Sequence, residues 1–130
     1  MKQKKFSIPT NFSLGFRKYQ VWYDSEQIHR KSAAVGTMSL GTGDMYLQTP
    51  LKDKLDELAI KQAFFHELVH GILYSMGEFE LVHDERFVDA MAHLLLQYEL
   101  TKEGDLLKIW KNDAKKERMI AEKERRIAEK

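Results

Sequence analysis

Two histidines and a glutamate near the middle of the chain have the spacing of a metal site. The stretch from Ala63 to Gly71 reads Ala-Phe-Phe-His-Glu-Leu-Val-His-Gly, so His66, Glu67 and His70 form the pattern H-E-x-x-H. On a helix, residues four apart lie on one face, and both imidazoles can bind the same zinc ion. Glu67 would lie near the open position of the metal, where it can take a proton from a zinc-bound water and pass it to a leaving group. The pattern predicts zinc-dependent hydrolysis.

The residues around this motif form a mostly apolar, helix-like segment. Two histidines and a glutamate in such a segment are costly unless they have partners. The alternative interpretation is a pair of hydrogen-bonded core histidines beside a surface glutamate. The apolar setting favours the metal site, and it rests on Leu55, Leu58, Ala59, Ala63, Leu68, Val69, Ile72, Leu73 and Met76.

Two histidines do not complete a catalytic zinc site, which typically has three protein ligands and a water. The spacing H-E-x-x-H-x-x-G-x-x-H would place a third histidine at Met76, so that class is excluded. Glu85 fits best, because in the first turn of a following antiparallel helix it would face back to the metal. Asp89, one turn further, could accept the free N–H of His66 or His70 and orient that ring. The full set of candidates for the third ligand is Glu78, Glu80, His83, Asp84, Glu85 and Asp89.

Composition limits the class of protein. A chain of 130 residues is one ordinary domain, and its formal net charge of +1 argues against a general attraction to nucleic acid. Cysteine is absent, which leaves histidine and the carboxylates as the strong metal ligands. The basic start, Met1 to Pro9, is not followed by an apolar run, so no signal peptide is expected. Without an apolar segment of 18 residues, we expect no membrane partner and a cytoplasmic location.

The first half of the chain predicts a small antiparallel sheet of about three strands. Lys2 to Ser13 is polar and is interpreted as an arm over the surface, and Phe16 to Tyr23 as the first strand. Ala33–Leu40 and Asp44–Thr49 flank the turn Gly41-Thr42-Gly43, which predicts a hairpin. Its buried side would consist of Met38, Leu40, Met45 and Leu47.

The second half predicts three helices, giving an α+β fold overall. The first runs from about Asp53 to Met76 and ends at Gly77, and the second runs from the N-cap Asp84 to about Lys102. A third begins near Asp105. The second helix is expected to bury Phe87, Val88, Met91, Ala92, Leu94, Leu95 and Tyr98, and the third is expected to bury Leu106, Leu107, Ile109 and Trp110.

The last part of the chain is highly charged. Lys111 to Lys130 has eight basic and five acidic residues, with no interleaved aromatics, which predicts a solvated helix rather than a nucleic-acid-binding one. We therefore divide the chain into a catalytic domain, residues 1–104, and a charged helical extension, residues 105–130. A protein partner could bind the extension.

Two motifs resemble a known family. His66-Glu-Leu-Val-His70 followed by Glu85-Arg-Phe-Val-Asp89-Ala-Met-Ala92 is similar to the gluzincin metallopeptidases of the ImmA/IrrE type, including short relatives in phages and mobile elements. The resemblance implies a minimal zincin-like domain, with His66, His70 and Glu85 as zinc ligands and Glu67 as the general base. It also implies one Zn²⁺ per chain and cleavage of a peptide or protein substrate. Val69 and Asp89 stand where that family usually has glycine and asparagine.

Other features of the hydrolase are left open by the sequence. Donors to the oxyanion could be Tyr23, Tyr74, His83 or His93. A substrate peptide could pair with an edge strand, for which Asp44–Gln48 is the preferred candidate. The alternatives to hydrolysis are a non-catalytic zincin-fold binding protein with a structural or vestigial metal, and a DNA-associated protein that acts through its terminal helix.

Overall fold

Four short strands form one mixed sheet in the computed structural model, which describes residues 6–23, 35–48 and 57–129. They are β1 (Asn11–Leu14), β2 (Arg17–Tyr23), β3 (Gly36–Ser39) and β4 (Asp44–Leu47), in the sheet order β1-β2-β4-β3. Strands β1 and β2 are antiparallel, β2 and β4 are parallel, and β3 and β4 are antiparallel. The sheet therefore differs from the predicted one of about three antiparallel strands.

The additional strand is β1, which lies where the sequence predicted an irregular arm. Phe12 is paired with Tyr19, and the two rings stack with their centroids 5.2 Å apart. The strand is only four residues long, and its alternation of half-buried and exposed side chains is too short to stand out in the sequence. Its pairing with β2, rather than a local preference, makes it a strand.

The predicted hairpin is confirmed, but the position of its second arm in the sheet is not the one expected. Strands β3 and β4 pair from Gly36↔Leu47 to Ser39↔Asp44, and Met45 and Leu47 are fully buried. Because β2 also pairs with β4, in parallel, β4 is an inner strand. The prediction that Asp44–Gln48 is an edge was wrong, since β3 is the edge of the described sheet on this side. Ala33, Ala34 and Thr49, at the ends of the predicted hairpin, lie outside the described residues.

The helices follow the sequence pattern closely. They are α1 (Glu57–Ser75), a short 3-10 helix (Leu81–His83), α2 (Glu85–Thr101) and α3 (Leu106–Ala128). The predicted N-cap is confirmed, because the Asp84 side chain accepts a hydrogen bond of 3.1 Å from Phe87 N. The α+β class is confirmed. The predicted helix start near Asp53 lies outside the described residues. Among the helices that are described, none is long and apolar enough to cross a membrane.

Helix α1 lies between the sheet and α2 and supplies more of the buried apolar residues than any other element. Its apolar side chains contact the buried face of the sheet on one side and α2 on the other, so burial of this helix stabilises all three layers. The buried apolar residues are Tyr19, Met45 and Leu47 of the sheet, Ile60, Phe64, Phe65, Val69 and Leu73 of α1, Val82 of the 3-10 helix, and Val88, Ala92 and Leu96 of α2.

Several apolar residues of the last two helices are exposed, contrary to the prediction. On α2, Met91, Leu94 and Tyr98 were expected in the core but are exposed. Leu96, which was not among the expected residues, is buried instead. Helix α3 has no buried residue at all. Its apolar pattern would allow burial, but no described part of the chain packs over it. The exposed residues of α3 include Leu106, Leu107, Ile109 and Trp110.

Replacing Gly43 with alanine is expected to destabilise the fold. Gly43 has φ of 77°, and an added Cβ would lie 2.8 Å from the Lys18 carbonyl oxygen. Left-handed backbone and a clash with a neighbouring strand should together lower the free energy of unfolding by about 1–3 kcal/mol. Urea unfolding followed by circular dichroism measures this. Gly41→Ala is the matched control, because a Cβ there meets nothing within 4 Å. Equal stability of the two variants would contradict the conclusion that position 43 requires glycine.

Candidate metal centre

His66 and His70 lie one turn apart on α1 and direct the same ring nitrogen to a common point. Their ring centroids are 4.9 Å apart, and the two Nε2 atoms are 3.2 Å apart. Both rings are partly buried at the contact between α1 and α2. A single helical turn therefore provides two imidazole nitrogens that can share one bound atom.

Each imidazole is held by a hydrogen bond on its other nitrogen. His70 Nδ1 donates to the Val82 carbonyl oxygen at 2.7 Å, and His66 Nδ1 donates to Asp89 Oδ1 at 2.9 Å. Carbonyl and ionised carboxylate oxygens only accept, so the ring proton of each neutral histidine is on Nδ1. Both Nε2 atoms consequently carry lone pairs. This is the tautomer that a metal ligand needs.

Glu85 brings a third donor to the same point. Its Oε2 lies 2.9 Å from His66 Nε2, and its Oε1 lies 3.2 Å from His70 Nε2. Ligands about 2.0–2.1 Å from a tetrahedral metal are about 3.3 Å apart, so the observed spacings are close to those of a metal site. These three residues could hold a metal ion.

The segment between the two helices is what aligns Glu85 with the histidines. The 3-10 helix Leu81–His83 is anchored by Val82, whose side chain is buried and whose carbonyl binds His70. Asp84 then caps α2, so Glu85 occupies the first turn of that helix. No sequence pattern signals the Val82 contact, because a backbone carbonyl can belong to any residue type.

Glu67 lies beside this group in a less polar environment. Burial raises its pKa from 4.5 to about 7; a positive charge on the neighbouring His66 ring would lower the value, and the charge of Glu85 raises it. Two small clefts meet at Glu67. One contains Gly36 of strand β3, and the other contains Thr37 of the same strand. The edge strand thus runs past a carboxyl group whose pKa suits proton transfer near neutral pH.

Burial also affects His70. Burial has the largest influence on the pKa of this imidazole and lowers it below its usual value. The charge of Glu85 acts in the opposite direction. The neutral ring is favoured as a result. Only the neutral ring can offer Nε2 to a metal.

The structure separates the four residues that sequence analysis proposed as donors to an oxyanion. His83 lines a cleft together with Glu67 and His70. Tyr74 instead contacts the Phe79 ring, with centroids 5.9 Å apart. Tyr23 and His93 line other depressions, at the N-terminal end of the described chain and between α1 and α2. Of the four, His83 is the one placed beside Glu67.

The remaining candidates for the third ligand have other positions. Asp84 uses its side chain to cap α2. Glu78 and Glu80 lie on the exposed connection after α1 and are not part of the donor group found among the described residues. Asp89 contacts His66 rather than the shared point.

Replacing Asp89 with alanine is expected to weaken zinc binding by about 10–100-fold. The variant loses the acceptor that orients His66, although all three donors remain. Competition with a chromophoric chelator measures the affinity. Asp113→Ala, which removes an exposed carboxylate on α3, is the control and should bind zinc as the wild type does. Equal affinities for the two variants would exclude the orienting role.

In the metal-free protein, Glu67→Gln is expected to increase stability at high pH. The folded pKa of about 7 is above the unfolded value of 4.5, so ionisation of Glu67 favours the unfolded state as pH rises between these values. The variant should gain about 3 kcal/mol over the wild type at pH 8 and little at pH 4, as measured by urea unfolding in the presence of a chelator. A difference that is the same at both pH values would contradict the raised pKa.

The site combines a group that could hold a metal ion with a neighbouring carboxyl group of raised pKa. Comparison of the chain with models of protein families, with curated proteins and with solved structures finds no match.

Proposed function

We propose that the chain is a zinc-dependent hydrolase of peptide bonds, in which His66, His70 and Glu85 hold the ion and Glu67 is the general base. One observation carries the proposal. Two imidazole lone pairs and a carboxylate meet within hydrogen-bond distance of one another, while the protons of both rings are committed elsewhere. A carboxylate and two ring nitrogens in such contact are stabilised by a shared cation, and a metal ion would supply it.

The type of donor favours zinc. Two imidazoles and one carboxylate form a ligand set of catalytic zinc sites, which keep a further position for water or substrate. Magnesium and calcium prefer sites made of oxygen atoms, and this group has two nitrogens. Glu85 is largely exposed, so this side of the group is open to solvent and to a substrate.

Glu67 supplies the proton transfers. A bound Zn²⁺ would contribute Lewis acidity, which lowers the pKa of water and polarises a carbonyl group. Ionised Glu67 removes a proton from the attacking water as its oxygen bonds to the carbonyl carbon. The protonated Glu67 then returns that proton to the amine nitrogen as the peptide bond breaks. In the metal-free protein the pKa of Glu67 is about 7, and a carboxyl group that gains and loses its proton readily suits both steps.

His83 is the donor that we propose for the negative charge that develops on the carbonyl oxygen. It follows Val82, whose carbonyl orients the His70 ring. The same backbone turn therefore orients His70 and positions His83 beside α1. Its side chain lines the cleft that also contains Glu67. An N–H of His83 would donate to the oxygen as it becomes an anion.

A peptide is the substrate class that suits the edge strand. Among the described residues, strand β3 pairs only with β4, and it lines both clefts that meet at Glu67. An extended chain could pair with the other side of β3 through main-chain hydrogen bonds. One of its peptide bonds would then lie beside Glu67.

A second candidate is a binding protein whose metal is structural. The feature that favours it is α3, where Leu106, Leu107 and Trp110 are exposed on a charged helix that has no buried residue. Exposed apolar residues of this kind are typical of interaction surfaces. Hydrolysis distinguishes the two candidates, since a structural site would leave no position for substrate.

Glu67→Gln is expected to retain zinc and to lose hydrolysis by about 10²–10⁴-fold, because the amide cannot accept the proton of water. Zinc per chain is measured by elemental analysis, and cleavage of a mixed peptide library is followed by mass spectrometry. Glu78→Gln, an exposed glutamate after α1, is the control and should keep both properties.

Two results would overturn the proposal. Full hydrolysis by Glu67→Gln would contradict the assignment of Glu67 as the general base. A wild-type protein that takes up no zinc, or that shows the same zinc content as His70→Ala, would remove the metal centre.

A further inference from the structure

Helix α3 has an exposed row of side chains that runs along its whole length. Positions that are alternately four and three residues apart lie on one side of a helix, and this is the spacing of a coiled-coil seam. Starting at Leu106, the spacing continues through three heptads to Ile127. We call this row the α3 seam, and its members are Leu106, Trp110, Asp113, Glu117, Ile120, Glu124 and Ile127.

The apolar members of the α3 seam are in contact with water. Leu106, Trp110, Ile120 and Ile127 are 58–80% exposed, and the helix has no buried residue. Helices in proteins gain most of their stability when an apolar stripe packs on another element. The α3 seam therefore offers apolar surface that a second helix could bury.

Three carboxylates lie in the same row. Asp113 and Glu117 are one turn apart, and like charges at that spacing destabilise a helix. Within the described residues, no salt bridge involves either of them or Glu124. The ion pair that α3 does contain, Glu122 with Arg126 at 2.9 Å, is on the other side of the helix. The negative charge of the α3 seam is consequently concentrated where a partner helix would pack.

This combination limits the chemistry of a partner. A helix that packs on the α3 seam removes water from the apolar side chains and also from the three carboxylates. Removing a carboxylate from water is costly unless a positive charge is brought to it. The partner must therefore supply apolar side chains at some positions of its own seam and lysine or arginine at the positions that face Asp113, Glu117 and Glu124.

A second copy of α3 does not meet this requirement. In a parallel pair each seam residue faces its own counterpart, so Glu117 would face Glu117. In an antiparallel pair the facing seam would still consist of apolar and acidic residues, because no lysine or arginine is a member of it. An anionic membrane surface is disfavoured as well, since it would bury the three carboxylates against lipid.

We propose that the α3 seam binds an amphipathic helix of another protein, in which lysine or arginine residues are interleaved with apolar residues along one face. Opposite charges would determine the partner and its register, and the apolar contacts would supply the affinity. This interaction is separate from the proposed hydrolysis and needs neither the metal centre nor Glu67.

The test uses the full chain and two designed helical peptides of about four heptads. Both peptides have leucine where they face the four apolar members of the α3 seam. Where they face the three carboxylates, one peptide has lysine and the other has glutamate, and each is made with the pattern in both chain directions. Fluorescence anisotropy of the labelled peptides measures affinity. We expect the lysine peptide to bind at least about 100-fold more tightly than the glutamate peptide. Tryptophan emission should shift to shorter wavelength on binding, because Trp110 leaves water.

A pair of charge reversals locates the contact. Glu117→Lys combined with Glu124→Lys should make the chain prefer the glutamate peptide. Glu122→Lys combined with Glu129→Lys is the matched control, because it makes the same change of charge outside the α3 seam, and it should keep the preference for lysine. All four glutamates are exposed, so both variants should fold as the wild type does. The formal net charge of the chain is +1, so it has no general attraction for a basic peptide.

Several results would contradict the proposal. They are absence of binding by the lysine peptide, equal affinities for the two peptides, and a preference for lysine that survives the reversal at positions 117 and 124. A dimer of the chain that Trp110→Ser dissociates, measured by sedimentation, would identify a second copy as the occupant and would also overturn it. Failure of the proposed peptidase would appear instead as absent zinc uptake or absent hydrolysis, and it would leave the peptide affinities unchanged.

Discussion

The site depends on the contact of the middle of α1 with the 3-10 helix and the first turns of α2. His66 reaches Asp89, and His70 reaches the Val82 carbonyl, so each ring makes a hydrogen bond across this contact. These bonds determine which nitrogen of each ring carries a proton and which faces Glu85. The packing of Val69, Val88 and Ala92 beneath them excludes water and holds the two helices at the required separation. Without that apolar layer, Glu85 would not be held beside the two histidines.

The same burial that creates the core also changes the chemistry of Glu67. A carboxyl group at the surface would be ionised at neutral pH and would be a weak base. Removal from water raises the pKa of Glu67 to about 7; the charge of Glu85 acts in the same direction, and the opposing influence of His66 does not cancel the effect. The residue therefore reduces the stability of the folded state above pH 4.5 while gaining the basicity that proton transfer requires. Such a cost is common where a buried group has a chemical function.

Predictions that rest on local sequence patterns agree best with the structure. The hydrophobic period of α1, the Asp84 cap and the glycine-bracketed turn before Asp44 each involve residues close together in the chain, and the corresponding elements are present. Glu85 was selected by the same kind of local reasoning, since a tight connection between antiparallel helices places the first turn of one beside the middle of the other. The structure brings Glu85 to the two histidines through this connection.

What the sequence determined by itself is the set of residues that could hold a metal ion and the helices on which they lie, because spacing on a helix directly specifies a face. Only the tertiary structure decided the order of the strands in the sheet and which side chains are exposed to water. The parallel pairing of β2 with β4 moved the edge to β3, and this depends on a long-range contact that no local pattern encodes. The exposure of Trp110 on α3 and the buried oxygen of Gln62 also depend on which elements pack together. A pattern states which side chains prefer burial, but burial itself requires a second surface.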